Sequence, residues 1–516
     1  MDLMRLAELV ATSRALASTR SRRTKVEALA EALRRADTDE VETATAYLSG
    51  VLRQRRTGLG HRSLADLPAP AEVPTLEVTE VHDAFEQISA VAGAGSKQAR
   101  TDLVADLFGR ATGEEQDYLR RLVTGDLRQG ALDGLMLEAI AAASATPTTS
   151  VRRAAMLCGA TLPVAAAALT GGEEALAAFG LEVGRPVRPM LASSAPDLPA
   201  ALERLGNGVQ VAVDCKLDGI RMQVHKHDDR VSVFTRTLDD ITDRLPEVVE
   251  AVSGLSARAL VLDGEAIALD DAGRPRPFQE TAARTASRLD VETLREKVPL
   301  TSYFFDLLHL DGTDLIDLPA SDRFGVLADT LPEGLVVPRR VSGDPAAAAD
   351  FFDEVVGLGH EGVVLKSLDA GYEAGRRGAS WVKVKPRHTL DLVVLAVEWG
   401  SGRRTGLLSN IHLGARDGEG GLVMLGKTFK GMTDEMLAWQ TERFLELETS
   451  RSSYVVNVRP EQVVEVAFDG IQASPRYPAG MALRFARVIR YRDDKTAAEA
   501  DTIDTVRSLH RGDAHM

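Results

Sequence analysis

A lysine with carboxylates on both sides lies near the middle of the chain, in the stretch VDCKLDGIR at residues 213–221. A lysine amine cannot attack phosphorus while it is protonated, and its ordinary pKa is about 10.4. Neighbouring cations and partial desolvation lower that pKa. The Lys-x-Asp-Gly pattern is weak by itself, because it should occur by chance in roughly one chain of this length in ten. The segment alone therefore leaves two interpretations of Lys216 equally open, a nucleophile or an exposed lysine beside a tight turn.

The alternation of residue types around Lys216 predicts a β-strand that ends in a turn at Asp218 and Gly219. Asp214 and Lys216 share one face of such a strand and point together into the cleft that the strand borders. The opposite face, which packs against the core, is predicted to hold four apolar residues: Val209, Val211, Val213 and Cys215.

Three later segments bring further charged residues to the same block of the chain. They carry Asp263 and Glu265 in VLDGEAIAL, Glu361 and Lys366 in GHEGVVLK, and Lys383 and Lys385 in WVKVKP. Two carboxylates suit a hard, oxygen-liganded cation such as Mg²⁺, and several lysines suit a polyphosphate. Each segment alone could be a surface ion-pair network. Together with Lys216 they predict covalent nucleotidyl transfer, with the other lysines and a metal ion supplying the field that frees the amine.

The elements that must position these residues fall into three blocks. Residues 1 to about 185 are predicted to be helical, because apolar residues such as Val26, Leu29 and Leu33 recur on one helical face. A capping box begins one of these helices at Thr112, and Gly125 is its stop signal.

The pattern changes at VGRPVRPML, residues 183–191, where two prolines among basic residues indicate a domain boundary. The middle block alternates β-rich segments with helices and is predicted to be α+β with largely antiparallel sheets. Beyond Pro386, short strands with Gly-rich turns predict a small β-barrel of the OB-fold type. The predicted domains are residues 1–186, 187–387 and 388–516.

Composition restricts the class of protein. The 516 residues are too many for one hydrophobic core, and 44% apolar and 27% charged residues are ordinary for a soluble protein. Two cysteines cannot form a disulfide framework or a four-cysteine zinc site, which favours a reducing, cytoplasmic compartment. Neither a signal peptide nor an apolar run long enough to cross a membrane is expected. The net charge of −15 argues against a nucleic-acid partner unless a local basic stripe overrides it.

Seven segments, taken in order, resemble the motifs of ATP-dependent DNA ligases. They are CKLDGIR, FTR, LDGEA, YFFDLLHLDG, HEGVVLK, WVKVKP and LRFARVIRYRDDK. The resemblance covers essentially the whole chain and is strongest to the actinobacterial ligase B group. It implies a helical DNA-binding domain, a nucleotidyltransferase (adenylation) domain and an OB-fold domain, in that order.

The resemblance also implies roles for individual residues. Lys216 becomes adenylylated, Glu265 and Glu361 serve the metal, and a further set contacts ATP: Asp214, Arg221, Arg236, Glu265, Phe305, Arg377, Lys383 and Lys385. Phe305 is the expected adenine-stacking ring. The family usually has Glu two residues before the lysine, whereas this chain has the shorter Asp214.

The basic segment RFARVIRYRDDK is a local basic stripe of the kind that can bind a nucleic acid despite the net negative charge of the chain. The resemblance implies that it swings over the active site and orients the departing pyrophosphate, through Arg484, Arg487, Arg490, Arg492, Asp494 and Lys495. Lys97 and Arg128 are candidate DNA phosphate contacts in the helical block. His225 and His227 are expected to be exposed turn residues.

The expected activity is ATP-dependent sealing of nicks in duplex DNA by a monomer, in the cytoplasm beside the nucleoid, with Mg²⁺ or alternatively Mn²⁺. An RNA ligase or a GTP-using capping enzyme shares the Lys-x-Asp-Gly lysine but not the long helical block. An NAD⁺-dependent ligase would carry four zinc-binding cysteines. A non-catalytic DNA-binding scaffold would not need Lys216, Glu265, Glu361 and Lys383.

Overall fold

The computed structural model describes residues 3–127, 129–130, 133–287, 290–374 and 377–511, with the side chains of 377–379 and 510–511 outside the description. Within these ranges, no helix is both long and apolar enough to cross a membrane.

The N-terminal region is helical, as predicted. Its described helices are α1 (Leu6–Ser18), α2 (Arg22–Arg35), α3 (Val41–Leu48), α4 (Val78–Ala90), α5 (Ser96–Arg110), α6 (Gly113–Thr124), α7 (Asp133–Ser144), α8 (Thr148–Cys158) and α9 (Leu162–Ala177). They share one apolar core that includes Leu29, Leu33, Phe85 and Phe108. The predicted capping box is confirmed, because the Thr112 hydroxyl accepts the amide of Glu115 and Gly125 ends the helix in the left-handed region.

The middle region contains two five-stranded sheets. Its strands are β1 (Leu191–Ser194), β2 (Val211–Lys216), β3 (Ile220–His227), β4 (Arg230–Thr235), β5 (Ala259–Ala268), β6 (Leu300–Leu310), β7 (Thr313–Asp314), β8 (Arg339–Ser342), β9 (Gly362–Ser367) and β10 (Arg377–Val384). Its helices are α10 (Leu198–Leu205), α11 (Pro246–Ser253), α12 (Phe278–Ala286), α13 (Val291–Lys297), α14 (Ala320–Thr330) and α15 (Pro345–Gly357). The sheet orders are β1-β10-β9-β2-β8 and β4-β3-β5-β6-β7. All these strand pairs are antiparallel except β1 with β10, which confirms the largely antiparallel prediction.

The C-terminal region is built on antiparallel strands. Its elements are β11 (His388–Trp399), β12 (Leu408–Arg416), β13 (Leu422–Thr428), α16 (Asp434–Glu446), β14 (Glu448–Arg451), β15 (Val455–Val458), β16 (Val463–Phe468), β17 (Gly470–Ala473), β18 (Met481–Arg484), β19 (Arg487–Tyr491) and α17 (Ile503–Arg511). Seven strands form one sheet, and β17 pairs separately with β18.

The ladders of this seven-stranded sheet leave it short of a closed barrel. Among the described residues no ladder joins β13 to β19. Two hydrogen bonds span that gap: the Val488 amide donates to the Lys430 carbonyl at 2.9 Å, and the Thr428 hydroxyl donates to the Ala486 carbonyl at 2.5 Å. The antiparallel strands are therefore as predicted, while closure of the sheet is not.

Two local predictions are wrong. Val209 precedes β2 and is 46% exposed, so it does not share the packing face of Val211, Val213 and Cys215. His225 is buried on β3, where Nδ1 accepts the amide of Gly184 at 2.9 Å. The chain that enters the middle region covers this histidine, a contact that the local polar sequence could not indicate.

Candidate active site

Most of the predicted site residues line one cavity of about 730 Å³ in the middle region. Residues from both five-stranded sheets and from α12 form its wall, and Arg484 and Phe485 reach it from the C-terminal region. The predicted residues on the wall are Asp214, Lys216, Arg221, Arg236, Glu265, Phe305, Glu361, Lys383, Lys385 and Arg484.

Lys216, at the end of β2, makes an ion pair with Glu361 inside this cavity. Glu361 directly precedes β9, and its amide donates to the Lys216 carbonyl at 3.1 Å, so the backbone itself holds the two residues together. Glu361 also accepts from Lys385, which reaches on to Asp469 at 3.2 Å. One carboxylate thus bridges two lysines.

The charge state of Lys216 differs from the prediction. Burial lowers its pKa, but the carboxylates of Glu361 and Glu265 outweigh burial, and the net pKa of Lys216 is raised. Lys385, which was expected to lower this pKa, has its ammonium against Glu361 and Asp469. The raised pKa favours the ammonium form of Lys216 in this arrangement.

Glu265 on β5 is the second carboxylate at the lysine. Burial raises its pKa to about 7, although Lys216 and a hydrogen bond from the Gly219 amide oppose that shift. The Gly219 amide donates to Glu265 Oε1 at 2.8 Å. A Cβ atom on Gly219 would lie 2.3 Å from the carbonyl oxygen of Ala266, so the turn after Lys216 can approach β5 only as glycine.

The donor set at the lysine fits a hard cation in part. Glu265 and Glu361 offer carboxylate oxygens, the ligand type that Mg²⁺ prefers. Across the described ranges, no group of three or more His, Cys, Asp or Glu side chains is arranged to hold a metal. Two carboxylates suffice only if substrate phosphate and water complete the coordination, which is the usual way that Mg²⁺ binds in nucleotide sites.

Asp214 is buried and does not point freely into the cleft. Both of its oxygens accept from the Arg339 guanidinium, at 2.5 and 2.8 Å, and Lys366 lies 2.7 Å from one of them. Arg339 also donates to the backbone carbonyl of Phe305 at 2.8 Å. The shorter acid therefore organises the wall on which Phe305 stands, and no motif in the sequence marked Arg339 for this role.

Aromatic rings form the apolar part of the wall. Phe305 meets Trp381 edge to face at 5.9 Å, and the Lys366 ammonium lies 4.4 Å from the first ring centroid and 4.0 Å from the second. The sequence analysis selected Phe305 but not Trp381. Trp381 belongs to the WVKVKP segment, from which only Lys383 and Lys385 were selected.

The structure locates the other residues predicted to contact ATP or DNA only in part. Lys383 lines the cavity and Arg236 lies exposed at its wall. Arg377 begins β10 with its backbone paired to Leu191, and its side chain lies outside the described part. Lys97 is exposed on α5, and Arg128 lies outside the described residues.

Of the six residues predicted to orient pyrophosphate, Arg484 lines the cavity, where it donates to Asp218 at 2.8 Å. The other five form ion pairs within the C-terminal region: Arg487 with Asp469, Arg490 with Glu465, Arg492 with Asp391 and Asp494, and Lys495 with Asp391. Phe485, which the sequence analysis did not select, also lines the cavity, in the left-handed region at φ 54°.

A lysine held between carboxylates, beside further lysines and an aromatic wall, is the arrangement of a lysine-dependent nucleotidyltransferase. Family models match three parts of the chain: DNA ligase N terminus at residues 62–141, ATP dependent DNA ligase domain at 189–385, and ATP dependent DNA ligase C terminal region at 404–495. The chain belongs to the ATP-dependent DNA ligase family, and its activity is that of an ATP-dependent DNA ligase.

Individual relatives agree with this assignment. A probable DNA ligase of a Nocardioides species is 66% identical over 510 residues, covering 98% of each chain. One of Beutenbergia cavernae is 64% identical over 512 residues, covering 98% of this chain and 99% of the relative. The solved chain Pmar-Lig_PreS3 shares the fold at 18% identity, with a TM-score of 0.60 over 94% of this chain and 99% of its own.

The ion pair at Lys216 predicts the behaviour of its amine in Glu361→Gln. Removing an anion that stabilises the ammonium form should lower the Lys216 pKa. The measurement is the pH dependence of Lys216 acetylation by a trace reagent, followed by peptide mass spectrometry without ATP. The matched control is Glu354→Gln, which removes a carboxylate 3.2 Å from Arg340 on the surface. An unchanged midpoint in Glu361→Gln would contradict the assignment.

The close approach at Gly219 predicts a severe effect for Gly219→Ala. The added methyl group must displace the turn from Ala266 and Glu265, and a displacement of about 1 Å at reacting groups can cost about 100-fold in rate. We expect labelling of Lys216 by ATP to fall by about that factor while the melting temperature changes little. Gly325→Ala on α14, where an added Cβ meets no atom within 4 Å, is the control. Near-normal labelling of Gly219→Ala would show that the approach is not required.

Proposed function

We propose that the protein seals nicks bearing a 5′-phosphate and a 3′-hydroxyl in duplex DNA, and that Lys216 carries AMP between ATP and the nick. The observation that carries the proposal is the pairing of Lys216 with Glu361 on the wall of a cavity that also holds Glu265, Lys383 and Lys385.

The first step begins when Lys216 separates from Glu361 and gives up one proton to solvent, since Glu361 favours the ammonium form. The amine lone pair then forms a bond to the α-phosphorus of ATP, and the bond to the bridging oxygen breaks, so that pyrophosphate leaves with the electron pair. The lysine nitrogen loses a second proton to solvent as the neutral phosphoramide forms. Lys383, Lys385 and Arg484 offer positive charge on the wall where negative charge develops.

Two further transfers complete the reaction. A 5′-phosphate oxygen at the nick attacks the phosphorus of lysyl-AMP, and the P–N bond breaks to return the lysine amine. The 3′-hydroxyl, on losing its proton, then attacks the activated 5′-phosphate. AMP leaves, and one phosphodiester bond is formed for each ATP consumed.

Glu265 and Glu361 would hold Mg²⁺, or Mn²⁺ in its place, together with phosphate oxygens. The ion supplies charge neutralisation at the reacting phosphates when it is bound. Phe305 and Trp381 would contact the adenine, and Arg221, Arg236, Arg377 and Lys383 its ribose or phosphates. Asp214 would act by fixing Arg339 and Lys366.

We also propose the domain limits 1–186, 187–387 and 388–516, with the duplex enclosed by all three domains of a monomer. DNA affinity would come mainly from phosphate contacts, with Lys97 and Arg128 among the candidates, and would fall steeply with salt. We propose that the protein works in the cytoplasm, at the nucleoid, where its duplex DNA substrate would lie.

The proposal predicts which nucleotide labels the chain. With Mg²⁺ and α-labelled ATP, wild-type protein should become labelled. Nicked duplex DNA should then take the label as a DNA-adenylate and release it as labelled AMP when the nick is sealed. Lys216→Ala should give no labelled protein, because the attacking amine is gone. Gel analysis of protein and DNA measures both steps.

The same experiment separates the alternatives. Labelling by GTP or NAD⁺ in place of ATP would overturn the proposal, as would undiminished labelling of Lys216→Ala. Label that passes to nicked RNA but never to nicked DNA would favour an RNA ligase.

The position of Arg484 predicts a selective effect on the first step. In Arg484→Ala the ion pair with Asp218 and the positive charge at the cavity are lost, so labelling by ATP should slow about 100-fold. Sealing of a nick that already carries AMP should change less, since it bypasses the lysine. Arg459→Ala, which breaks an exposed pair with Glu461, is the control. Equal slowing in the two variants would contradict a specific role for Arg484.

A further inference from the structure

Tyr372 lies in a loop between β9 and β10 and is 2% exposed. Its hydroxyl donates to Asp263 Oδ2 at 2.6 Å and accepts the backbone amide of Met190 at 3.0 Å. Both hydrogen-bonding functions of a buried hydroxyl are therefore satisfied, and they join two distant parts of the chain.

Asp263, which is 1% exposed, binds Arg221 through both of its oxygens. Nε of Arg221 donates to Oδ1 at 3.0 Å and one terminal nitrogen donates to Oδ2 at 2.6 Å. The other terminal nitrogen of Arg221 donates to the carbonyl of Met190 at 2.5 Å. The contacts close a ring that runs from Tyr372 through Asp263, Arg221 and Met190 back to Tyr372.

This ring, which we call the Tyr372 ring, lies where the chain from the helical region enters the middle region. Three residues before Met190, the amide and carbonyl of Val187 are both bound by Gln223 on β3. Met156 of α8 packs in the same apolar cluster as Tyr372 and Trp381. Arg221, one member of the Tyr372 ring, also lines the cavity, so the Tyr372 ring lies between the entering chain and the cavity.

Arg221 has little freedom of its own. Its guanidinium lies 5.4 Å from the centroid of the Phe305 ring and 5.6 Å from that of Trp381. It also donates hydrogen bonds to Asp263 and to the Met190 carbonyl. The position of Arg221 in the cavity is therefore set by the Asp263 carboxylate and the Met190 carbonyl. Tyr372 is the side chain that holds both of these residues, since its hydroxyl donates to Asp263 and accepts the Met190 amide.

We propose that Tyr372 is a positioning residue for the ATP reaction: its hydroxyl holds Asp263 and the Met190 backbone so that Arg221 is presented to the nucleotide in one orientation. The inference rests on the proposed function, since it assigns Arg221 to ATP. Burial and the neighbouring Asp263 carboxylate raise the pKa of Tyr372 well above its ordinary value, so the hydroxyl remains a donor throughout the working pH range.

Tyr372→Phe tests the proposal, because it removes the hydroxyl and keeps the ring that packs edge to face on Trp381 at 6.0 Å. A lost hydrogen bond to a charged group should raise KM for ATP in Lys216 labelling about tenfold, with a smaller change in kcat. The dissociation constant of ATP, measured by calorimetry without added metal, should rise in parallel. Tyr118→Phe is the matched control: it removes a buried hydroxyl that donates to the Tyr47 carbonyl at 2.9 Å in the helical region. Its KM and dissociation constant for ATP should remain those of the wild type.

A double-mutant cycle with Arg221→Ala tests whether Tyr372 acts through Arg221. Once Arg221 is gone, Tyr372→Phe should cause no further loss of ATP affinity. Unchanged ATP affinity in Tyr372→Phe, or an equal loss with and without Arg221, would overturn the proposal. If wild-type protein bound ATP but never became labelled, the proposed function would fail, while the calorimetric cycle would still decide the role of Tyr372.

Discussion

The site depends on one carboxylate that pairs with two lysines. Glu361 pairs with Lys216 and with Lys385, and all three side chains are mostly withdrawn from solvent, with exposures of 13%, 19% and 19%. Burying any one of these charges without a partner would be costly, and an unpaired lysine would lose its proton instead. The pairing therefore keeps Lys216 in the cavity in its ammonium form. In the proposed reaction, Lys216 has to separate from Glu361 before its amine can attack ATP.

The backbone is shaped to permit this pairing. Gly362 follows Glu361 at φ 133°, and a Cβ atom there would lie 2.2 Å from the carbonyl oxygen of Val384, so β9 and β10 can converge on the lysines only with glycine at this position. Gly219 plays the same part on the other side of Lys216, where the turn presses against Ala266. The motif glycines thus bring strands from both sheets close to one lysine, and the charged residues occupy the space that they leave.

The sequence was sufficient for the residue types at the site and for the order of the three regions, because both are carried by local patterns such as the Thr112 capping box and the alternation in β2. It could not predict pairings between distant segments. The bidentate contact of Arg339 with Asp214 joins residues 125 positions apart, and Tyr372 reaches Met190 across 182 positions. A lowered pKa was expected for Lys216, and its raised pKa has the same origin, because the pairing of Lys216 with Glu361 joins residues 145 positions apart.

The cavity is joined to its two neighbouring regions by contacts of different kinds. Toward the C-terminal region they include the ion pairs Arg484–Asp218 and Lys385–Asp469, made by side chains that keep roughly a fifth to a quarter of their surface in solvent. Solvent reaches both pairs, so each side chain can exchange its partner for water or another charged group without leaving a fully buried charge behind. Toward the helical region the Tyr372 ring and the cluster around Met156 are buried and directional. A catalytic cycle that exposes the lysine to ATP and then to DNA therefore meets less resistance in moving the C-terminal region than in moving the linker at Met190.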